Sequence, residues 1–111
     1  MNKEMFLKVL FSTDNKVQSI YEEHVLYYEE ELIYLFLSEI ADFFTEQYLT
    51  NGSWNKKFVH LLDVAFDEGD DDVLTITSLG LLENFDRSHR SYNELTEAVS
   101  DSVKLEMQKY D

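Results

Sequence analysis

The chain has 111 residues, the size of one domain, and its 44% hydrophobic and 14% aromatic residues can fill a core, which argues against intrinsic disorder. Nine Lys and Arg against 23 Asp and Glu give a formal net charge of -14, which disfavours nucleic acid and anionic lipid surfaces as partners. With no Cys, no Pro and three Gly, the composition excludes disulfides, thiol chemistry and Cys-ligated metals, and favours a single all-α domain over residues 1–111.

The chain begins with apolar residues that Lys8 interrupts, so we expect a first helix over about residues 3–11 rather than a signal peptide. The most apolar run, residues 32–37, is far shorter than the roughly 20 residues that span a bilayer. We therefore expect no membrane association and a cytoplasmic location.

Apolar residues at three- and four-residue steps predict a second helix that begins near the turn-forming residues 12–15 and a third over about residues 30–48. Glu29, Glu30 and Glu31 suit the first turn of the third helix, because the helix dipole attracts acids there. Whether the second and third helices are separate or continuous stays open. The predicted inward stripe of the second helix consists of Val17, Ile20, Tyr21, His24, Val25 and Tyr28.

Glycines mark the ends of the next two helices. Gly52 is suited to a left-handed cap, and Ser53 is then expected to cap a fourth helix over about residues 54–67. Gly69 is expected to take a positive φ where that helix ends, and Asp70 to cap the following helix.

A fifth helix over about residues 71–85 is apolar nearly all round, which predicts that it is the most buried one. Gly80 in its interior predicts close approach by a neighbouring helix. After a polar loop over residues 86–91, a last helix is predicted over about residues 92–110, with an inward stripe of Leu95, Val99, Val103 and Met107 at four-residue spacing. Six helices joined by short turns predict antiparallel neighbours, in a compact bundle or a HEAT-like helical stack.

The charge distribution is the most informative feature of the sequence. No Lys or Arg occurs from Val17 to Asn55, and Glu39, Asp42 and Glu46 share one ridge of the third helix through their i, i+3 and i+7 spacing. One interpretation is a well-solvated surface on an acidic protein. The other is a negative face that binds a basic partner rapidly and in a salt-sensitive manner.

A second acidic group surrounds Gly69, and we take it as a further candidate partner-binding group. Its members are Asp67, Glu68, Asp70, Asp71 and Asp72. An EF-hand needs a later glycine and a Glu at the twelfth position, which Ser78 occupies here, so helix capping explains these acids better than calcium. We expect no metal and no cofactor.

Catalytic motifs are absent from the sequence: it has neither a nucleophile elbow nor a P-loop, and we do not expect an enzyme. His24 and His60 are each interpreted as a hydrogen-bonded structural histidine rather than a metal ligand. The tyrosines are expected at core edges and as interface anchors. They are Tyr21, Tyr27, Tyr28, Tyr34, Tyr48, Tyr92 and Tyr110.

The segment from Phe58 to Phe85 resembles a family of small bacterial helical proteins. Their shared signature is a helix, a Glu-x-Gly-Asp turn, a Val and a Gly-x-Leu-Glu-Asn stretch. The corresponding residues here are Asp67-Glu-Gly-Asp70, Val73 and Gly80-Leu-Leu-Glu-Asn84, with weaker similarity over Ile20–His24 and Leu105–Tyr110. The pattern is also similar to a HEAT-type repeat. A longer and more aromatic third helix distinguishes this chain from the family.

The resemblance implies an immunity protein that neutralises a cognate bacterial toxin, and it carries over no functional residues. The surplus of acids independently fits a protein that covers the basic active site of such a toxin. One alternative is an acidic nucleic-acid mimic that inhibits a DNA- or RNA-binding enzyme. Another is a helical adaptor without inhibitory activity. The expected partner is a protein toxin with a basic surface, without direct contact to nucleic acid or membrane, and the oligomeric state stays open.

Overall fold

The computed structural model describes residues 1–111 as helices and turns without β-strands, which confirms the predicted all-α class. The α-helices in chain order are α1 (Lys3–Thr13), α2 (Val17–Tyr28), α3 (Ile33–Asn51), α4 (Lys56–Glu68), α5 (Asp71–Ile76), α6 (Arg90–Ala98) and α7 (Asp101–Met107). A π-helical segment (Thr77–Leu81) and a 3₁₀ turn (Leu82–Asn84) follow α5, and a second 3₁₀ turn (Gln108–Tyr110) follows α7.

The connection between α2 and α3 shows that they are separate helices. Glu29, with φ 60°, takes the left-handed conformation that ends α2, and α3 begins only at Ile33. The expectation that Glu29, Glu30 and Glu31 fill the first turn of α3 is therefore wrong. The Glu31 carboxylate instead pairs with the Lys3 ammonium on α1, which holds this acid in the connection.

The start of α4 differs from its prediction by two residues. Gly52 takes the left-handed conformation expected of it, with φ 79°. Asn55, rather than Ser53, caps α4 by accepting the Phe58 N–H at 3.0 Å. Trp54 stays outside the helix because its buried indole Nε1–H donates to the Ser91 carbonyl at 2.8 Å.

Gly69 ends α4 without the expected positive φ, since its φ is -71°. Glycine is required here because a side chain would not fit. A Cβ at this position would overlap the Ala65 carbonyl oxygen and lie 2.7 Å from Val73 Cγ1. Asp70 caps α5 as predicted, and its carboxylate accepts the Val73 N–H at 2.9 Å.

The predicted fifth helix is interrupted by the π-helical segment. A Cβ on Gly80 would lie 2.7 Å from Leu37 Cδ1, which confirms the predicted close approach of α3 at this glycine. Leu79, in the stretch predicted to be the most buried helix, is 44% exposed. The wider π turn shifts the angular position of each side chain, so the 3.6-residue period no longer predicts which one faces inward.

The predicted last helix is also divided in two. Ser100 N–H donates to Asp63 Oδ1 of α4 at 2.7 Å, so an amide that a continuous helix would satisfy internally binds a neighbouring helix instead. The apolar stripe predicted for this region is buried throughout. It consists of Leu95, Val99, Val103 and Met107.

The core is one cluster of 24 buried hydrophobic residues. It is centred on α3, which contributes Phe44, stacked on Phe58 of α4 with ring centroids 4.1 Å apart. α2 lies at the edge of this core, because only Val17 and His24 of its residues are buried. Most of α2 is therefore available as surface.

Candidate protein-binding surface

The helical hairpin formed by α2 and α3 carries negative charge with little compensation. The segment from Val17 to Asn55 has no Lys or Arg, and its acids are Glu22, Glu23, Glu29, Glu30, Glu31, Glu39, Asp42 and Glu46. Across the whole protein, ion pairs involve five of the 23 acidic side chains. The surplus acids therefore project an uncompensated negative field from this hairpin.

The predicted acidic ridge lies on α3 and faces outward. Asp42 and Glu46 are exposed, and Glu39 is partly exposed with one carboxylate oxygen bonded to His24. Leu35 lies one turn before Glu39 on the same side of the helix. We call Leu35, Glu39, Asp42 and Glu46 the α3 ridge.

The second predicted group lies on different elements, at the turn from α4 to α5. No hydrogen bond or ion pair joins it to the α3 ridge. Its exposed members are Asp67, Glu68, Asp70, Asp71 and Asp72. Asp70 caps α5, and its N–H donates to the Met1 carbonyl at 2.8 Å, so this turn is fixed by a helix cap and by a backbone contact with the first residue. The two candidate acidic groups therefore lie on different elements of the fold.

Apolar side chains are exposed where α2 ends and α3 begins. Leu26 is 81% exposed and Tyr27 80% exposed, and Tyr28, Tyr34 and Leu35 are partly exposed beside them. We call these five residues the hairpin tip. Leu26 and Tyr27 fall outside the predicted inward stripe of α2, which is a sequence signal for them but does not show whether another helix covers them. Large exposed apolar groups bordered by charge are typical of protein interaction sites.

His24 connects the two helices beneath the tip and is a hydrogen-bonded structural histidine, as predicted. Its Nε2 accepts the Leu32 N–H at 3.1 Å, so the ring proton is at Nδ1, which lies 3.2 Å from Glu39 Oε2. The ring also packs on Tyr28, with centroids 4.9 Å apart. The same prediction for His60 is wrong, because His60 is exposed and makes no hydrogen bond.

Glu31 fixes the connection between α2 and α3 through two partners. The Tyr21 hydroxyl donates to Glu31 at 2.7 Å, and this hydrogen bond raises the pKa of Tyr21. Burial alone would raise the pKa of Glu31, but the hydrogen bonds from Lys3 and Tyr21 outweigh it and hold that pKa below its usual value. The backbone that carries the hairpin tip is therefore tied to α1.

The basic residues after the 3₁₀ turn have structural roles. The Arg87 guanidinium donates to the carbonyls of Leu82, Glu83 and Phe85 and lies over the rings of Tyr92 and Tyr110. His89, next in this cluster, caps α6. These contacts explain the presence of Arg87 and His89 here without requiring a binding role for Arg87.

None of the helices combines the length and the hydropathy needed to cross a lipid bilayer. Comparison of the chain with protein-family models, with curated proteins and with solved structures finds no match. The resemblance to immunity-type proteins therefore stays a prediction, and the functional inference rests on the hairpin surface itself.

Proposed function

We propose that this protein is an immunity protein, which binds a cognate toxin of basic surface and covers its active site without catalysing a reaction. One observation carries this proposal: a hairpin without Lys or Arg between Val17 and Asn55 presents both unpaired acids and exposed aromatic residues. Toxins that act on nucleic acids or nucleotides need cationic active sites, and such a surface complements them in charge.

The two components of the hairpin surface have different physical roles. Unpaired carboxylates such as Asp42 and Glu46 accelerate encounter with a cationic protein, and this effect weakens with salt as the Debye length falls. Aromatic side chains such as Tyr27 supply the desolvated contacts that slow dissociation. Together they provide the fast and tight binding that neutralisation of a toxin requires.

The exposed apolar residues favour a protein partner over the alternative of a nucleic-acid mimic. A mimic of the phosphate backbone needs regularly spaced carboxylates, whereas this hairpin also exposes Leu26 and Tyr27, two large apolar side chains. Apolar anchors of this kind match the composition of protein–protein interfaces.

The proposal predicts a toxin gene beside this one, and it is tested by co-expression with the toxin domain of that gene and by measurement of the association rate. Growth should be restored, and a triple variant Glu39→Lys, Asp42→Lys and Glu46→Lys should associate at least about tenfold more slowly at low salt. Absence of both growth rescue and binding would overturn the proposed function.

A matched variant distinguishes the two acidic groups. Asp67→Lys, Glu68→Lys and Asp72→Lys change the net charge by the same amount and leave the Asp70 cap intact. We expect this variant to keep most of the wild-type association rate. If it is slowed more than the α3 ridge variant, the turn between α4 and α5 is the binding face.

A further inference from the structure

A groove of about 410 Å³ lies between α2 and α3, next to the hairpin tip. Its lining residues are Ile20, Glu23, His24, Tyr27, Tyr28 and Glu39. Ile20, Tyr27 and Tyr28 form its apolar and aromatic side, and a carboxylate comes from each helix. No cationic side chain lines it.

The two carboxylates retain unused hydrogen-bonding capacity. Glu39 bonds to His24 through Oε2, and its Oε1 has no partner. Glu23 is exposed and takes part in no hydrogen bond or ion pair. An uncompensated pair of acids beside aromatic rings attracts a cation that is large, flat and weakly hydrated.

The aromatic part of the groove is held in place before any partner arrives. The Tyr27 and Tyr28 ring centroids lie 4.8 Å apart, and Tyr28 packs on His24 at 4.9 Å. His24 in turn packs on Phe36 of the core at 5.8 Å. The exposed Tyr27 is therefore connected to the core through a series of rings, which lowers the entropic cost of using it as an anchor.

We propose that this groove binds an arginine side chain of a basic partner protein, while Leu26 and Tyr27 pack on the apolar surface around that arginine. The proposal rests on the proposed function, for which it names the anchoring contact. The guanidinium can stack on the Tyr27 ring and still donate, in its own plane, to the carboxylates of Glu23 and Glu39. A lysine ammonium is more strongly hydrated and has no flat face, so it fits less well.

The test needs no toxin. The ¹⁵N-labelled protein is titrated with N-acetyl-arginine amide and, separately, with N-acetyl-citrulline amide, which has nearly the same shape without the charge. We expect the arginine probe to shift the amide signals of residues lining the groove, with an affinity at least about tenfold above that of citrulline.

Two exposed positions provide variants that do not endanger the fold. Tyr27→Ala and Glu23→Gln should each weaken binding of the arginine probe by at least about threefold. Leu105→Ala and Glu97→Gln, which change exposed residues away from the hairpin, should leave it unchanged. The proposal is overturned if citrulline binds equally well, if no groove signal moves, or if shifts centre on Asp67–Asp72.

The outcomes separate the two proposals. If the groove binds arginine but the protein neither restores growth in co-expression nor binds the toxin domain, the proposed function fails while the binding site stands. If the wild type neutralises a toxin and Tyr27→Ala does so with unchanged affinity, the groove is not the anchor and the proposed function remains.

Discussion

His24 Nδ1 and Glu39 Oε2 lie 3.2 Å apart, and this contact links α2 to α3 beneath the exposed hairpin tip. The other ring nitrogen accepts the Leu32 N–H at 3.1 Å, so one buried imidazole satisfies a backbone donor in the connection as well as a carboxylate on α3. His24 therefore holds the tip from beneath, in addition to the contacts of Glu31 with Lys3 and Tyr21.

Replacement of His24 should loosen the hairpin. We expect His24→Phe to lower the free energy of unfolding by about 1–3 kcal/mol. The phenyl ring fills the space of the imidazole, but the Leu32 N–H loses its acceptor. Urea denaturation measures the change. His60→Phe is the matched control, since His60 is exposed and should change stability by at most about 0.5 kcal/mol. Equal effects of the two variants would contradict the structural role of His24.

Gly80 offers a prediction in which two physical effects have opposite signs. Helix propensity alone predicts that Gly80→Ala stabilises the protein by about 1 kcal/mol. The added methyl group would lie 2.7 Å from Leu37 Cδ1 in the core, so we expect destabilisation by about 1–3 kcal/mol instead. Thermal or urea unfolding decides the sign, and a stabilised variant would show that α3 is not as close as the structure has it.

We expect Arg87→Lys, a substitution usually regarded as conservative, to destabilise the protein. Lysine cannot reproduce a planar guanidinium that donates to several carbonyls and stacks between Tyr92 and Tyr110. We expect Arg87→Lys to cost about 1–3 kcal/mol in urea denaturation. Arg90→Lys, at an exposed position three residues later, should cost at most about 0.5 kcal/mol. A similar loss in both variants would refute a specific role of the guanidinium.

Glu31 predicts a pH dependence of stability. Its pKa in the folded protein lies below the ordinary value of 4.5. The ionised carboxylate therefore contributes fully to the free energy of unfolding above about pH 4.5, and this contribution is lost as the pH falls through the lowered pKa. The stability difference between wild type and Glu31→Gln, about 1 kcal/mol at pH 7, should stay constant down to pH 5 and shrink below about pH 4.

Glu30→Gln is the matched control for this measurement. Glu30 is the neighbouring acid, is exposed and makes no hydrogen bond or ion pair, so its replacement should show no comparable step. Unfolding midpoints measured across this pH range for the three proteins provide the comparison. A Glu31→Gln difference that grows on acidification would contradict the predicted direction of the pKa change.

Much of the architecture follows from local sequence patterns. Apolar periodicity correctly predicts α1 to α4 within a few residues, and the stripe from Leu95 to Met107 is buried as expected. The errors occur where partners distant in the sequence intervene. Asp63 binds the Ser100 amide and divides the last helix, while Lys3 holds Glu31 outside α3.

The candidate surface was predictable only in part. The absence of Lys and Arg from Val17 to Asn55 and the outward ridge that includes Asp42 and Glu46 can be read from charge and helical spacing. The exposure of Leu26 and Tyr27 could not be assigned, because an apolar residue outside the main stripe can still be covered by another helix. Only the position of α2 at the edge of the core leaves them uncovered.

Sequence alone therefore determined the helical class, the buried stripes and the region of negative charge, since these depend on side-chain chemistry at helical spacing. Tertiary structure decided which acids lie together, which aromatic residues remain exposed, and that His24 and Glu39 line one groove. These properties depend on how the helices pack against one another. Packing brings together residues that are far apart in the sequence, and the periodicity within a single helix does not determine such contacts.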